Sequence, residues 1–117
     1  MGLLISEALE YDYQQYLIGR QAERILSCCD PSALILFGSA ARNQMTDASD
    51  IDIALLFPDT ESLIQAKRRL YALPPCPDPW PCDMVCYTIV EFQERVQRGG
   101  LCELIREEGR LLYGRWP

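Results

Sequence analysis

The 117-residue sequence predicts a mixed α/β fold, with a small mixed β-sheet and helices packed on one of its faces. Two continuous apolar runs of strand length, residues 33–37 and 51–57, have the pattern of strands that are buried on both sides. Segments with the three- and four-residue apolar spacing of amphipathic helices surround them. With 49% apolar residues and this length, we expect residues 1–117 to form one domain.

The first half of the chain supplies one helix and the two apolar strands. Helix-forming residues with apolar spacing predict a helix over residues 7–29. It ends before Pro31, because a residue that precedes proline is driven out of helical backbone angles. The run at 33–37 then forms the first strand, which Gly38 terminates. A short polar segment leads to the second strand, 51–57.

Turn and capping signals divide the second half. Asp59 or Thr60 can cap a helix, and five prolines between residues 74 and 81 require a stiff, irregular loop. Thr88 and Glu91 have the spacing of a capping box at the start of another helix. The elements expected here are helices 61–72, 89–97 and 101–108, strand 83–88, and a short edge strand or extended tail at 111–113.

Composition excludes several classes of function. The 17 acidic and 11 basic side chains give a net charge of −6, which disfavours binding to nucleic acid or to an anionic membrane surface. With no histidine, the chain can form neither a Ser-His-Asp triad nor an imidazole-ligated zinc site. The start of the chain lacks the features of a signal peptide, and no apolar stretch approaches membrane-spanning length. We therefore expect a cytoplasmic protein whose six cysteines are reduced thiols.

Two aspartates interrupt the start of the second apolar strand. Asp50 and Asp52 are two residues apart, so alternation along a strand places both carboxylates on one face. Neighbouring carboxylates repel each other, and at least one pKa should be raised unless a cation lies between them. Because Mg²⁺ prefers oxygen ligands and is common beside phosphates, this pair predicts a magnesium site.

Two further features fit phosphate chemistry. Asp83 begins an otherwise apolar strand, and beside Asp50 and Asp52 it would complete a cluster for two Mg²⁺ ions. Gly38 and Ser39 follow the first strand and lead into a short helix, where backbone N–H groups can meet an anion. Each feature alone is common, and an ordinary turn or strand start would explain it. Their joint order along the chain is what indicates a site.

The ordered motifs resemble those of the minimal nucleotidyltransferases of prokaryotes, within the DNA polymerase beta-like nucleotidyltransferase superfamily. The resemblance is specific over residues 36–57, and the closing residues 105–113 are also similar to the usual end of these proteins. Asn43 stands where the family often has glycine, and asparagine tolerates left-handed backbone angles better than most residues. The matching motifs are Gly38-Ser39, Ala41-Arg42, Ser49-Asp50-Ile51-Asp52 and a later strand acid, Asp83.

The resemblance implies a role for each motif. Asp50 and Asp52 would bind Mg²⁺ and the triphosphate, and Asp83 would help to bind the catalytic metal and activate the acceptor hydroxyl. Arg42 would neutralise phosphate charge or anchor its loop. The nucleotide-binding candidates are Gly38, Ser39, Arg42 and Ser49.

The implied reaction is transfer of AMP from ATP to a hydroxyl, with release of pyrophosphate. Many minimal members act as antitoxins that bind a HEPN-domain ribonuclease and adenylylate a tyrosine on it. A chain of this length is expected to take its acceptor from a partner protein, in a homo- or hetero-oligomer. Three alternatives stay open: an antitoxin that acts by contact alone, a small-molecule nucleotidyltransferase of the aminoglycoside-modifying type, and an inactive α/β domain with an acidic strand face.

Overall fold

The structure, a computed structural model, describes the backbone of residues 2–46 and 49–117 and the side chains of residues 10–46 and 49–117. It confirms the mixed α/β class. The elements in chain order are α1 (Gly2–Leu26), β1 (Ala33–Phe37), α2 (Gly38–Ala41), β2 (Ile51–Phe57), α3 (Thr60–Tyr71), β3 (Cys82–Thr88), α4 (Ile89–Gln97), α5 (Leu101–Glu108) and β4 (Arg110–Gly114).

The strands form one mixed sheet in the order β3–β2–β1–β4. Strand β1 is antiparallel to both β2 and β4, whereas β2 and β3 are parallel. Helix α3 joins the parallel pair, since parallel neighbours cannot be connected by a tight hairpin. This order places the end of β1 and the starts of β2 and β3 at the same edge of the sheet.

Helices cover both faces of the sheet, which corrects the prediction that they pack on one face. Alternate side chains of β1 and β2 pack against α1 and α3 in one apolar cluster. The intervening side chains of the same strands pack against α4 and α5 in a second cluster. The continuous apolar pattern of both strands is the physical reason, because a strand covered by helices on each side has no solvent face.

Helix α1 differs most from its prediction. It spans Gly2–Leu26 instead of 7–29. Tyr13 and Tyr16, which contribute to the apolar spacing that predicts this helix, are 50% and 58% exposed. Among the side chains that the structure describes, the buried stripe of α1 begins only at Leu17. The tyrosines share the helical spacing of that stripe, but their hydroxyl groups tolerate solvent and their part of the helix lies outside the core.

The proline-rich loop before β3 is fastened to α1. Arg20 Nε donates to Asp78 Oδ2 at 2.9 Å, and Arg24 Nη2 donates to the Pro74 carbonyl at 2.6 Å. The ion pair with Arg20 lowers the pKa of Asp78. At the end of the loop, Ile51 N donates to the Pro81 carbonyl at 2.8 Å. The loop therefore fixes where β3 begins, one residue before Asp83.

The other boundaries lie close to their predictions. Strands β1 and β2 and helices α4 and α5 have the predicted limits, and β3 begins one residue earlier. All six cysteines are free thiols. Among the described residues, no helix combines the length and apolar character that a membrane crossing needs.

Candidate active site

The three predicted acids meet at one edge of the sheet. In the parallel pair β2–β3, Asp52 lies directly opposite Asp83. Residues paired in this way project to the same face of a sheet, and Asp50 reaches that face two residues before Asp52. The structure therefore brings Asp50, Asp52 and Asp83 together, as the sequence pattern predicted.

The electrostatics show that the carboxylates crowd one another. The pKa of Asp52 is raised, first by partial burial and then by the charges of Asp83 and Asp50. The pKa of Asp50 is raised by loss of solvent, by a hydrogen bond with Asp83 and by that residue's charge. Negative charge on this face is therefore costly until a cation compensates it.

Gly38 brings the chain backbone against Asp52. Its φ of +73° lies in the left-handed region that favours glycine. A Cβ atom there would collide with the Asp52 carboxylate at Oδ2. Phe37, just before it, pairs with Asp52 across β1 and β2. The residue type at position 38 is thus required both by the backbone angle and by the acid beside it.

The turn that follows Gly38 is closed by backbone hydrogen bonds. Ser39 occupies the first turn of α2, and its carbonyl accepts from Gln44 N at 2.8 Å. Asn43 has a φ of +56°, so the residue that replaces the family's usual glycine does adopt the left-handed region. This confirms that the turn survives the substitution.

Arg42 is held at its place by a residue that the sequence did not indicate. Its Nη1 lies 2.9 Å from Glu108 Oε2 at the end of α5, and its Nε donates to Gln44 Oε1 at 3.2 Å. It is close enough to Asp52 for its positive charge to oppose the raised pKa of that carboxyl. Of the two predicted roles, anchoring of the loop is the one visible in the structure. The two partners are 66 residues apart, so no local spacing could have revealed the pair.

Ser49 closes a separate turn immediately before Asp50. Its Oγ accepts from Thr46 N at 2.8 Å, and its own N–H donates to the Thr46 carbonyl at 3.0 Å. The hydroxyl also lies 3.3 Å from Thr46 Oγ1. Ser49, which was predicted to bind nucleotide, thus makes its hydrogen bonds within the loop that precedes β2.

The acids fit a hard divalent cation in their chemistry. Among the side chains of residues 10–46 and 49–117, no three Cys, Asp or Glu groups are already arranged as a formed metal site. Asp50, Asp52 and Asp83 nevertheless supply oxygen donors on one face, and loss of solvent together with mutual repulsion raises the pKa values of the first two, a cost that a cation would relieve. Mg²⁺ suits such a set of donors.

A groove of about 400 Å³ runs along β3, the outer strand of the sheet beside the acids. Tyr71 and Met84, on its walls, are 86% and 38% exposed. The groove does not include the aspartates, but it follows the strand that carries Asp83. Its lining residues are Lys67, Leu70, Tyr71, Met84, Val85, Cys86 and Tyr87.

Part of the chain is similar to a known family. Residues 21–77 match the family model described as "Polymerase beta, Nucleotidyltransferase". The matched segment includes Gly38, Ser39, Asp50 and Asp52, and it ends before Asp83. No curated protein matches the chain.

Solved structures that are similar to this chain include the following two. A candidate nucleotidyltransferase from Sulfolobus solfataricus shares 19% identity over 92% of this chain and 87% of that one, with a TM-score of 0.56. A toxin-antitoxin structure with AMP-PNP shares 23% identity over 82% of this chain and 73% of that one, with a TM-score of 0.48.

Proposed function

We propose that this chain transfers AMP from ATP to a hydroxyl group of a partner protein in a Mg²⁺-dependent reaction. Its fold, which is that of the polymerase beta-like nucleotidyltransferases, supports this proposal. The observation that carries the proposal is the pairing of Asp52 with Asp83 across β2 and β3, with Asp50 on the same face. An acidic cluster at this position is costly for folding, and a cation with a triphosphate gives it a use.

Different residues would bind the metal and the phosphates in the proposed site. Asp50, Asp52 and Asp83 would hold Mg²⁺, which when bound neutralises their charge and polarises the phosphate oxygens. Gly38 and Ser39, where β1 passes into α2, would hold the β- and γ-phosphates through backbone N–H groups and the Ser39 hydroxyl. Arg42 would supply positive charge on the same loop.

In the proposed reaction, an oxygen of the acceptor hydroxyl attacks the α-phosphorus in line with the leaving group. The new O–P bond forms as the bond to pyrophosphate breaks, and the Asp83 carboxylate takes the hydroxyl proton. Asp83 suits this role because it is exposed and lies on the outermost strand, where an acceptor can approach from solvent. Holding both substrates in line is itself a large part of the rate enhancement.

A protein acceptor agrees with the surface beside the site. The net charge of −6 disfavours a nucleic acid. The groove along β3 exposes Tyr71 and Met84, and apolar side chains rimmed by polar ones are typical of protein contact sites. We propose a tyrosine of a HEPN-domain partner as the acceptor, so that this chain acts as a cytoplasmic antitoxin.

Calorimetric titration with Mg-ATP tests the nucleotide site first. We expect magnesium-dependent binding to the wild-type chain and its loss in the Asp50→Asn/Asp52→Asn double variant. A double variant with the same change in charge at exposed positions of α1, Glu10→Gln/Asp12→Asn, should bind as the wild type does. Absence of binding to the folded wild-type chain would count against the proposed site.

Labelled ATP then tests the transfer. With a purified HEPN-domain protein offered as the acceptor, label in the α-phosphate should become protein-bound, whereas label in the γ-phosphate should not. The Asp50→Asn/Asp52→Asn variant should transfer neither. Neutralisation of the partner by that variant, without transfer, would instead favour an antitoxin that acts by contact.

A further inference from the structure

The ion pair between Arg42 and Glu108 joins the proposed phosphate loop to the last helix. Arg42 Nη1 lies 2.9 Å from Glu108 Oε2, and both side chains are partly exposed. Arg42 follows directly after α2, whereas Glu108 is the final residue of α5. The family match ends at residue 77, so Arg42 lies inside the matched segment and Glu108 lies outside it.

The end of α5 is itself fixed in place. Gly109 N donates to the Ile105 carbonyl at 2.8 Å, and a Cβ at Gly109 would collide with that carbonyl and with the Ile35 side chain. Arg110 then opens β4, where it pairs with Leu36 of β1. Glu108 therefore lies at a fixed corner that is anchored to β1, the strand that ends just before Gly38.

Arg42 directly follows α2, whose first two residues, Gly38 and Ser39, are the proposed phosphate ligands. A second hydrogen bond, from Nε to Gln44 Oε1 at 3.2 Å, leaves the guanidinium with two contacts on different edges. A planar guanidinium held at two edges is oriented, which a single contact on a flexible side chain would not achieve.

We propose that Glu108 is a positioning residue: through its ion pair it holds the Arg42 guanidinium beside α2, where that cation meets the triphosphate bound by Gly38 and Ser39. This inference rests on the proposed function. Glu108 itself touches neither nucleotide nor acceptor. Its effect on nucleotide binding therefore depends entirely on Arg42.

A double-mutant cycle with Mg-ATP titration tests this dependence. We expect Glu108→Ala to weaken binding by about tenfold, comparable to the loss of one charge-assisted hydrogen bond. Arg42→Ala should weaken binding at least as much, and Arg42→Ala/Glu108→Ala should be no weaker than Arg42→Ala alone. Glu107→Ala, an exposed neighbour on the same helix, is the matched control and should bind as the wild type does.

A charge swap separates positioning from simple fastening of the loop. Arg42→Glu/Glu108→Arg can restore an ion pair, but it moves the cation to α5. We expect thermal stability close to the wild type and no recovery of nucleotide affinity. Recovery of affinity in the swapped chain would overturn the proposal, because the pair would then act only as a clamp.

The remaining outcomes are also decisive. Wild-type affinity in Glu108→Ala, or additive losses in the double variant, would overturn the positioning role while leaving the proposed function intact. A wild-type chain that does not bind Mg-ATP would instead count against the proposed function itself. The two failures are therefore distinguishable within one set of titrations.

Discussion

The two faces of the sheet use the same strands in opposite ways. Toward α1 and α3, β2 presents apolar side chains along its whole length, from Ile51 to Phe57. Toward α4 and α5 it presents Ala54 and Leu56, but the first β2 residue on this face is an acid, Asp52. One strand thus carries an uninterrupted core on one side and a charged site on the other.

The difference shows how the chain reconciles stability with a costly site. The α1–α3 face buries large aliphatic side chains beside the very residues that carry the acids, and each such side chain contributes about 1.5–3 kcal/mol when buried. The acids are confined to the sheet edge, beyond the cover of α4 and α5. We therefore expect stability and nucleotide binding to respond separately to substitutions one residue apart.

The largest expected effect lies on the apolar face. Ile53 is fully buried next to Asp52 in sequence but packs in the α1–α3 core. Ile53→Ala should lower the free energy of unfolding by about 2–5 kcal/mol, the range for truncating a buried aliphatic side chain. Chemical denaturation measures this. Below the transition, the remaining folded protein should bind Mg-ATP with near wild-type affinity; a loss of affinity in the folded fraction would mean that the two faces are not separable.

Gly38→Ala should lower both stability and nucleotide binding, because Gly38 has a left-handed backbone and lies against Asp52. Its left-handed φ and the collision of a Cβ with the Asp52 carboxylate should together reduce the free energy of unfolding by about 1–3 kcal/mol. Mg-ATP binding should also be lost, since Asp52 must move. Gly100→Ala is the matched control: its φ is +83° but no atom would contact the added Cβ, so only stability should fall.

Asp52→Asn should give the opposite sign of effect on stability. Removing one of three crowded carboxylates should raise the free energy of unfolding in the presence of EDTA, by less than about 1 kcal/mol because solvent screens these partly exposed charges. Magnesium-dependent stabilisation by ATP should disappear in the same variant. A decrease in stability without metal would show that the acids are structural and not a site held at a cost.

The sequence predicted most of the sheet because its strands are buried on both sides. A continuous apolar run is hard to place elsewhere, and the limits of β1 and β2 follow from Gly38 and Pro58. The continuous apolar pattern of these strands should have indicated helices on both faces of the sheet. The acids on one face instead suggested that this face was open to solvent. The acids lie beyond the helices, so both features coexist on one face.

The site was predictable where its residues are close in sequence, and not where distant elements meet. Alternation placed Asp50 and Asp52 together, and a strand start indicated Asp83. The contact of Arg42 with Glu108 joins α2 to α5, and the fastening of the proline-rich loop to α1 joins Arg20 to Asp78. Such pairs depend on the packing of whole helices, which no local pattern encodes.

The smallest expected effect is a pH dependence of opposite sign at two aspartates. Asp59, which caps α3, accepts from Ser62 N at 2.7 Å, and this bond lowers its pKa below the ordinary 3.8. Its contribution to stability is present above pH 3.8 and is lost as the pH falls through the lowered value. Asp52 has a raised pKa, so its cost is absent below pH 3.8 and grows as the pH rises through the raised value.

Thermal unfolding between pH 3 and 7 in EDTA should therefore separate the two positions. At pH 6, Asp59→Ala should melt below the wild type and Asp52→Asn above it. The Asp52→Asn difference should be gone once the pH is below 3.8, whereas the Asp59→Ala difference should only begin to shrink there, because the pKa of Asp59 is lowered. Comparing differences between variants removes the general loss of stability in acid. If both variants moved in the same direction at pH 6, a carboxylate in the site would stabilise the fold just as a helix cap does, and the contrast between the two faces would fail.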